Sequence, residues 1–256
     1  MIEINFWKVQ ACGNDFIMID NMQEALSGEF FKKITPFLCD RRFGIGADGV
    51  IFINKAEGFD YEMRYYNSDG SGPVMCGNGG RASVLFVFEK PIVRKKCYKF
   101  LSIDGEHTGI YSNRAVSVTV RGGEVECLDN EREKIFFVNT GVPHIVIVKD
   151  EIDNIDIDEY AQGFRRKYDA NVNLIEREKL SHWKIRTYER GVEGETYSCG
   201  TGTVASALVV SRIFNENFPI RLKALGGDLE VDFIDDQYWL SGEVKKVFEG
   251  KITCEV

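Results

Sequence analysis

The chain has 256 residues, 44% of them apolar and 28% charged, the balance of a soluble globular protein with length for about two domains. With 32 basic against 40 acidic residues the net charge is −8, which speaks against nucleic acid and anionic membrane as partners, since no basic footprint is there to meet phosphate. No apolar run approaches the eighteen or so residues of a membrane span and the opening residues 1–8 show no secretory pattern, so a cytoplasmic location is expected.

In chain order, β-rich and mostly alternating runs at 49–54 and 59–66 predict strands with one face on a core. Residues 80–89 are apolar almost all round, which predicts a helix buried at the centre of a domain. Further strand runs follow at 115–120, 144–148 and 184–188. A second all-round apolar helix is predicted over 203–214, and a last alternating run covers 229–234. Each buried helix follows a glycine-rich turn, and the turns repeat. Cys76-Gly-Asn-Gly-Gly-Arg-Ala-Ser83 and Cys199-Gly-Thr-Gly-Thr-Val-Ala-Ser206 agree at Cys, Gly, Gly, Ala and Ser. The repeat reads as an internal duplication, giving two similar α+β domains, each with a cysteine at the mouth of its central helix.

The seven cysteines, at 12, 39, 76, 97, 127, 199 and 254, include no CxxC pair and no Cys/His set at zinc spacing, so neither structural disulfides nor a metal site is expected. A duplicated cysteine suits one chemistry in particular. Inverting an α-carbon requires a base on one face and an acid on the other, and two pseudo-symmetric domains can supply one each. Backbone N–H groups at a glycine-rich helix start favour an anion, which lowers a thiol pKa and can hold a substrate carboxylate while negative charge develops. A single Cys-Gly-x-Gly is equally at home as a tight packing turn; the second copy carries the functional reading. Cys12, Cys39, Cys97, Cys127 and Cys254 lack that setting and read as fillers.

The ordered blocks Gly13-Asn-Asp-Phe16, Asp40-Arg-Arg-Phe-Gly-Ile-Gly-Ala-Asp-Gly49, Tyr66-Asn-Ser-Asp-Gly-Ser71, Met75-Cys-Gly-Asn-Gly-Gly-Arg81, Gly141-Val-Pro-His144, Asn171-Val-Asn173, Tyr188-Glu-Arg-Gly191 and Ser198-Cys-Gly-Thr-Gly202 resemble diaminopimelate epimerases along nearly the whole chain. The resemblance implies an α+β fold of two pseudo-symmetric domains, each a curved, mostly antiparallel sheet around a central helix. Residues 1–118 would form the first domain, joined by a returning strand at 247–256, and 119–246 the second. It implies a homodimer that needs no pyridoxal phosphate or other cofactor and interconverts LL- and meso-diaminopimelate for lysine and cell-wall synthesis.

By the same resemblance Cys76 and Cys199 are the two catalytic bases, with His144 beside the thiols. Gly77, Asn78, Gly200 and Thr201 would hold the α-carboxylate, Asn67 and Glu189 the α-amino group, and Asn14, Asn173 and Arg190 the distal end of the substrate. His144 could instead cap backbone groups and Arg190 could form an ordinary ion pair. Asp15, Asp48 and Asp69 lie in glycine turns, where carboxylates bond neighbouring N–H groups, and are left out of the site. Val142 stands where many relatives carry Asn, and Cys12 lies two residues before Asn14. Two alternatives remain open from the sequence: a cofactor-independent racemase of another amino acid such as histidine, or of lanthionine, and a non-catalytic amino-acid binder or thiol redox protein.

Overall fold

The computed structural model describes residues 1–90, 92, 95–112, 115–129 and 133–254; positions 255 and 256, the end of the expected returning strand, lie outside them. The chain divides into two compact units, one comprising 1–118 with 243–256 and the other 119–242.

The first unit carries β1 (Ile2–Ala11), β2 (Asn14–Asn21), α1 (Gly28–Cys39), β3 (Gly49–Asn54), β4 (Tyr61–Asn67), α2 (Gly77–Glu89), β5 (Cys97–Ser102), β6 (Gly105–Ser112) and β7 (Ala115–Val120), whose last residues pass the boundary. The second carries β8 (Val125–Asp129), β9 (Lys134–Asn139), β10 (Pro143–Val148), α3 (Ile157–Tyr168), β11 (Asn171–Lys179), β12 (His182–Glu189), β13 (Gly194–Thr196), α4 (Gly200–Phe214), β14 (Ile220–Ala224), β15 (Gly227–Ile234) and the start of β16 (Gln237–Cys254). From Glu243 onward β16 belongs to the first unit, where it runs antiparallel to β1. The expected strand at 247–256 is thus the latter part of a longer one that starts ten residues upstream.

Pairing sense shows the duplication directly. Along β1 to β7 the successive pairs are antiparallel, parallel, antiparallel, parallel, antiparallel and antiparallel. The series β9, β10, β11, β12, β14, β15, β16 repeats that order without change. Parallel neighbours need a crossover, and each crossover here contains one described α-helix: α1 and α2 in the first unit, α3 and α4 in the second, α3 being preceded by a short 3-10 turn at Ile152–Asn154. The result is a mixed α/β fold of barrel-like, mostly antiparallel sheet with few helices.

The two repeated helices are the ones the sheets enclose. In α2 every residue from Gly77 to Val87 is buried, and the helix touches β1, β2, β3, β4 and β6. In α4 the buried set runs from Gly200 to Val210 with Thr201 partly open, against β8 to β12, β14 and β15. Each fully buried Val, Leu or Phe there contributes about 1.5–3 kcal/mol relative to exposure. The crossover helix α3 is built differently. Asp156 caps it, Asp158 and Glu159 occupy the first turn and Arg165, Arg166 and Lys167 the last, which matches the helix dipole at both ends. Its run stops at Asp169, which takes a left-handed conformation at φ 47°.

Candidate active site

In the first unit Cys76 is the N-cap of α2, in extended backbone, and its sulfur accepts the Gly79 N–H at 3.3 Å. Asn14, the first residue of β2, turns its Oδ1 toward this end of the helix: the oxygen accepts from Asn78 Nδ2 at 3.3 Å and lies 3.8 Å from the Cys76 sulfur. The other end of the Asn14 amide donates to Asp48 Oδ2 at 2.7 Å. Asn78 is oriented in turn by Arg81, whose Nη2 donates to Asn78 Oδ1 at 2.7 Å. Arg81 is wholly buried in the helix and its remaining contacts are the Glu243 carbonyl at 3.3 Å and the Cys12 sulfur at 3.7 Å. A buried cation so placed is held by dipoles alone, with no carboxylate among its partners in the described residues.

Behind Asn14 lies a charged cluster. Arg41 reaches Asp15 through both terminal nitrogens, at 3.0 and 2.7 Å, and Asp48 Oδ1 at 2.8 Å. The buried Lys8 pairs with Asp15 at 2.6 Å and donates to the Gly46 carbonyl. Burial alone would raise the Asp15 carboxyl, but hydrogen bonds from Arg41 and Lys8, with their charges, outweigh it and hold the group at about 2. At the end of β4, Asn67 bonds Ser71 Oγ at 3.0 Å and remains partly open.

In the second unit Cys199 stands at the same position, N-cap of α4, 8% exposed and 3.5 Å from Thr201 Oγ1. His144, in β10, is completely buried, and its ring environment settles its protonation. Asn173 Nδ2 lies 3.2 Å from the Ile145 carbonyl and 3.1 Å from His144 Nδ1, while Asn173 Oδ1 accepts from Thr187 Oγ1 at 3.0 Å. Only an amide N–H can face the Ile145 carbonyl, so His144 Nδ1 accepts and the ring proton sits on Nε2. Burial, helped by the charge of Arg190, pushes the imidazole down to about 3, so the ring is a neutral donor at working pH and no base. Its Nε2 is buried without a hydrogen-bond partner among the described residues.

The strands β4 and β12 are equivalent in the duplication, and their final residues are Asn67 and Glu189, the pair expected at the α-amino group. Glu189 Oε2 accepts from Thr196 Oγ1 at 2.9 Å. Arg190 follows, its guanidinium 33% exposed and placed on the Asp169 carbonyl and carboxylate at 3.0 and 3.1 Å. Asn173, expected at the distal end of a substrate, is instead 0% exposed with every polar atom of its amide engaged behind His144. Three residues that support the site were not assigned to it from the sequence, Asp48 having been set aside as a turn carboxylate. Asp48 orients Asn14 across 34 positions, Arg81 orients Asn78, and Asn171 holds the Arg190 N–H at 2.8 Å. A lone charge inside an otherwise apolar helix was the available signal for Arg81; for Asp48 there was none. Asp69, by contrast, caps its own turn through Ser71 N at 2.8 Å.

All seven cysteines are free thiols, and no group of three or more His, Cys, Asp or Glu that could hold a metal ion occurs among the described residues. Nor is any described helix long and apolar enough to cross a membrane.

The arrangement defines a duplicated α/β protein with a cysteine heading the buried helix of each half. Its sequence matches the family model described as diaminopimelate epimerase over residues 6–134 and 136–247. A diaminopimelate epimerase of Flavobacterium psychrophilum is 38% identical, covering 97% of this chain and 100% of the relative, and one of Aquifex aeolicus is 34% identical with 99% of both covered. Among solved structures, a phenazine biosynthesis protein of the PhzF family from Bacillus anthracis has the same fold, with a TM-score of 0.79 at 14% identity over 99% of this chain and 100% of that one. The chain belongs to the diaminopimelate epimerase family.

Proposed function

We propose that the protein is an isomerase that interconverts LL- and meso-diaminopimelate by two-base proton transfer between Cys76 and Cys199. One observation carries the reading: the same Cys-Gly-x-Gly turn heads the buried helix of each duplicated unit. Stereochemical inversion by proton transfer requires a base on one side of the carbon and an acid on the other, and a duplicated cysteine can supply both roles.

In this reading a thiolate takes the α-proton, and the electron pair of the broken C–H bond passes into the substrate carboxylate, held by N–H groups at Gly77, Asn78, Gly200 and Thr201. The other thiol gives its proton to the opposite face of the carbon and becomes the thiolate, so the two sulfurs exchange roles with each turnover. Each proton transfer contributes about 10²–10⁴-fold, and the oriented N–H groups stabilise the developing charge. Asn67 and Glu189 receive the α-amino group, Asn14 and Arg190 the distal end, and Asn173 acts from behind by setting the tautomer of His144. No cofactor takes part. We also assign the protein to the cytoplasm as a homodimer serving lysine and cell-wall synthesis.

Incubation of the purified, reduced protein with LL-diaminopimelate in D₂O tests the whole: α-deuteration with appearance of the meso isomer is expected. Cys76→Ser and Cys199→Ser should each abolish turnover and leave substrate affinity largely intact. Exchange into histidine with none into diaminopimelate would overturn the substrate, and full turnover in both variants would overturn the mechanism. Sedimentation velocity reads the dimer.

A further inference from the structure

Asp48 has no part in the chemistry above, yet among the described residues its carboxylate is the one charged group bonded to the Asn14 amide. Its own position is over-determined. Asp48 Oδ1 accepts from Arg41 at 2.8 Å, Oδ2 also accepts the Asp15 N–H at 3.1 Å, and its main-chain N–H and carbonyl bond Asp15 and Ser68 at 3.0 and 3.1 Å. A carboxylate can only accept, so at 2.7 Å it must face the NH₂ end of Asn14. The flipped amide would set two oxygens against each other. Asn14 therefore presents its oxygen to α2, where Asn78 Nδ2 and the Cys76 sulfur are its two neighbours, at 3.3 and 3.8 Å.

The Gly79 N–H and the Asn14 oxygen differ in what they allow the Cys76 sulfur. A backbone N–H, such as that of Gly79, can donate to a thiol or to a thiolate. An amide oxygen is compatible with S–H alone, because a thiolate has nothing to donate and would face a second negative dipole. We propose that Asp48 is a positioning residue that acts through Asn14 to hold Cys76 as the protonated thiol between turnovers, so that Cys76 rests as the acid of the pair. The proposal rests on the reading of Cys76 as an acid/base group, and it names the resting state of that group.

The thiolate is the species that reacts with alkylating agents, so the rate of Cys76 alkylation reads its protonation without any turnover. Wild type, Asp48→Asn, Asn14→Ala and the double variant would be treated with limiting iodoacetamide and the Cys76 peptide quantified by mass spectrometry, with the exposed Cys97 and Cys127 as internal references. Each single variant should speed Cys76 alkylation about three- to tenfold, the worth of one net hydrogen bond, and the double variant should react no faster than Asn14→Ala. An unchanged rate in Asp48→Asn, or an equal factor from Asp48→Asn in both backgrounds, would overturn the proposal. Should the Asp48 variant fail to fold, the infrared difference between wild type and Cys76→Ser at neutral pH decides: an S–H stretching band supports the assignment and its absence removes it. Lack of diaminopimelate turnover in wild type would sink the functional reading and leave these measurements standing.

Discussion

An alanine at Gly202 would set its Cβ inside the contact distance of Asn173 Oδ1 and 3.2 Å from Asn173 Cγ. Asn173 cannot swing aside freely, since it is fully buried and its amide is shared among Thr187, Ile145 and His144. Overpacking of a tight core costs about 1–3 kcal/mol. Displacing the amide leaves buried partners unsatisfied for about 1–3 more. The better helix propensity of Ala returns about 1, so the net loss is about 1–5 kcal/mol and the melting temperature should fall by roughly 2–20 °C for a chain of this size. The equivalent glycine of the first turn, Gly79, provides the control. There the nearest atom to an added Cβ is the tip of Ile51, Cδ1 at 3.0 Å, which can yield. Gly79→Ala should stay within about 1 kcal/mol of wild type on the same propensity argument. Thermal melts of the two variants side by side give the result, and equal melting temperatures would refute the claim that Asn173 is held rigidly by its network.

Three further outcomes follow from the ionisable groups. His144 is neutral in the folded chain down to about pH 3, while an unfolded histidine takes up its proton near 6.5, so the unfolded state binds the extra proton between those values. Stability should therefore fall as pH drops from about 6.5, with a slope of up to about 1.4 kcal/mol per unit, and urea titrations of His144→Asn should show a shallower slope in that window. Asp15, held at about 2, contributes stability that is complete above its unfolded value near 3.9 and lost as pH falls through 2; the shift is worth about 2 kcal/mol. Asp15→Asn should remove that component and leave the buried Lys8 without its carboxylate partner, so denaturation curves should show lower stability at neutral pH and a weaker dependence on pH in the acid limb. Burial pushes the Cys39 thiol up to about 12 and raises that of Cys254, so limited alkylation should modify the exposed Cys97 and Cys127 while these two stay unlabelled in the folded protein.

The two buried helices were readable because an apolar surface all round leaves a helix nowhere to go but the interior, although both start three residues earlier than their apolar runs, at the residue after each cysteine. The alternating strands at 115–120 and 229–234 were readable for a like reason, since a period of two exposes one face and buries the other, whereas the strand at 49–54, expected with one face on a core, is buried at every residue because it lies in mid-sheet between β2 and β4. The helices α1 and α3 left weaker marks, because α3 is largely charged and buries only Ile157 and Ala161. Local order, the duplicated turn and the cysteine at each N-cap are thus properties of short stretches of chain, decided by backbone preference and periodicity. Which way an amide faces is different in kind. Asn14 is set by Asp48 from another strand's approach, Asn78 by a cation one helical turn on, and the His144 proton by Asn173 across a parallel strand pair. Those choices depend on donors and acceptors that meet only after the sheet has closed around each helix, so no window of sequence contains them.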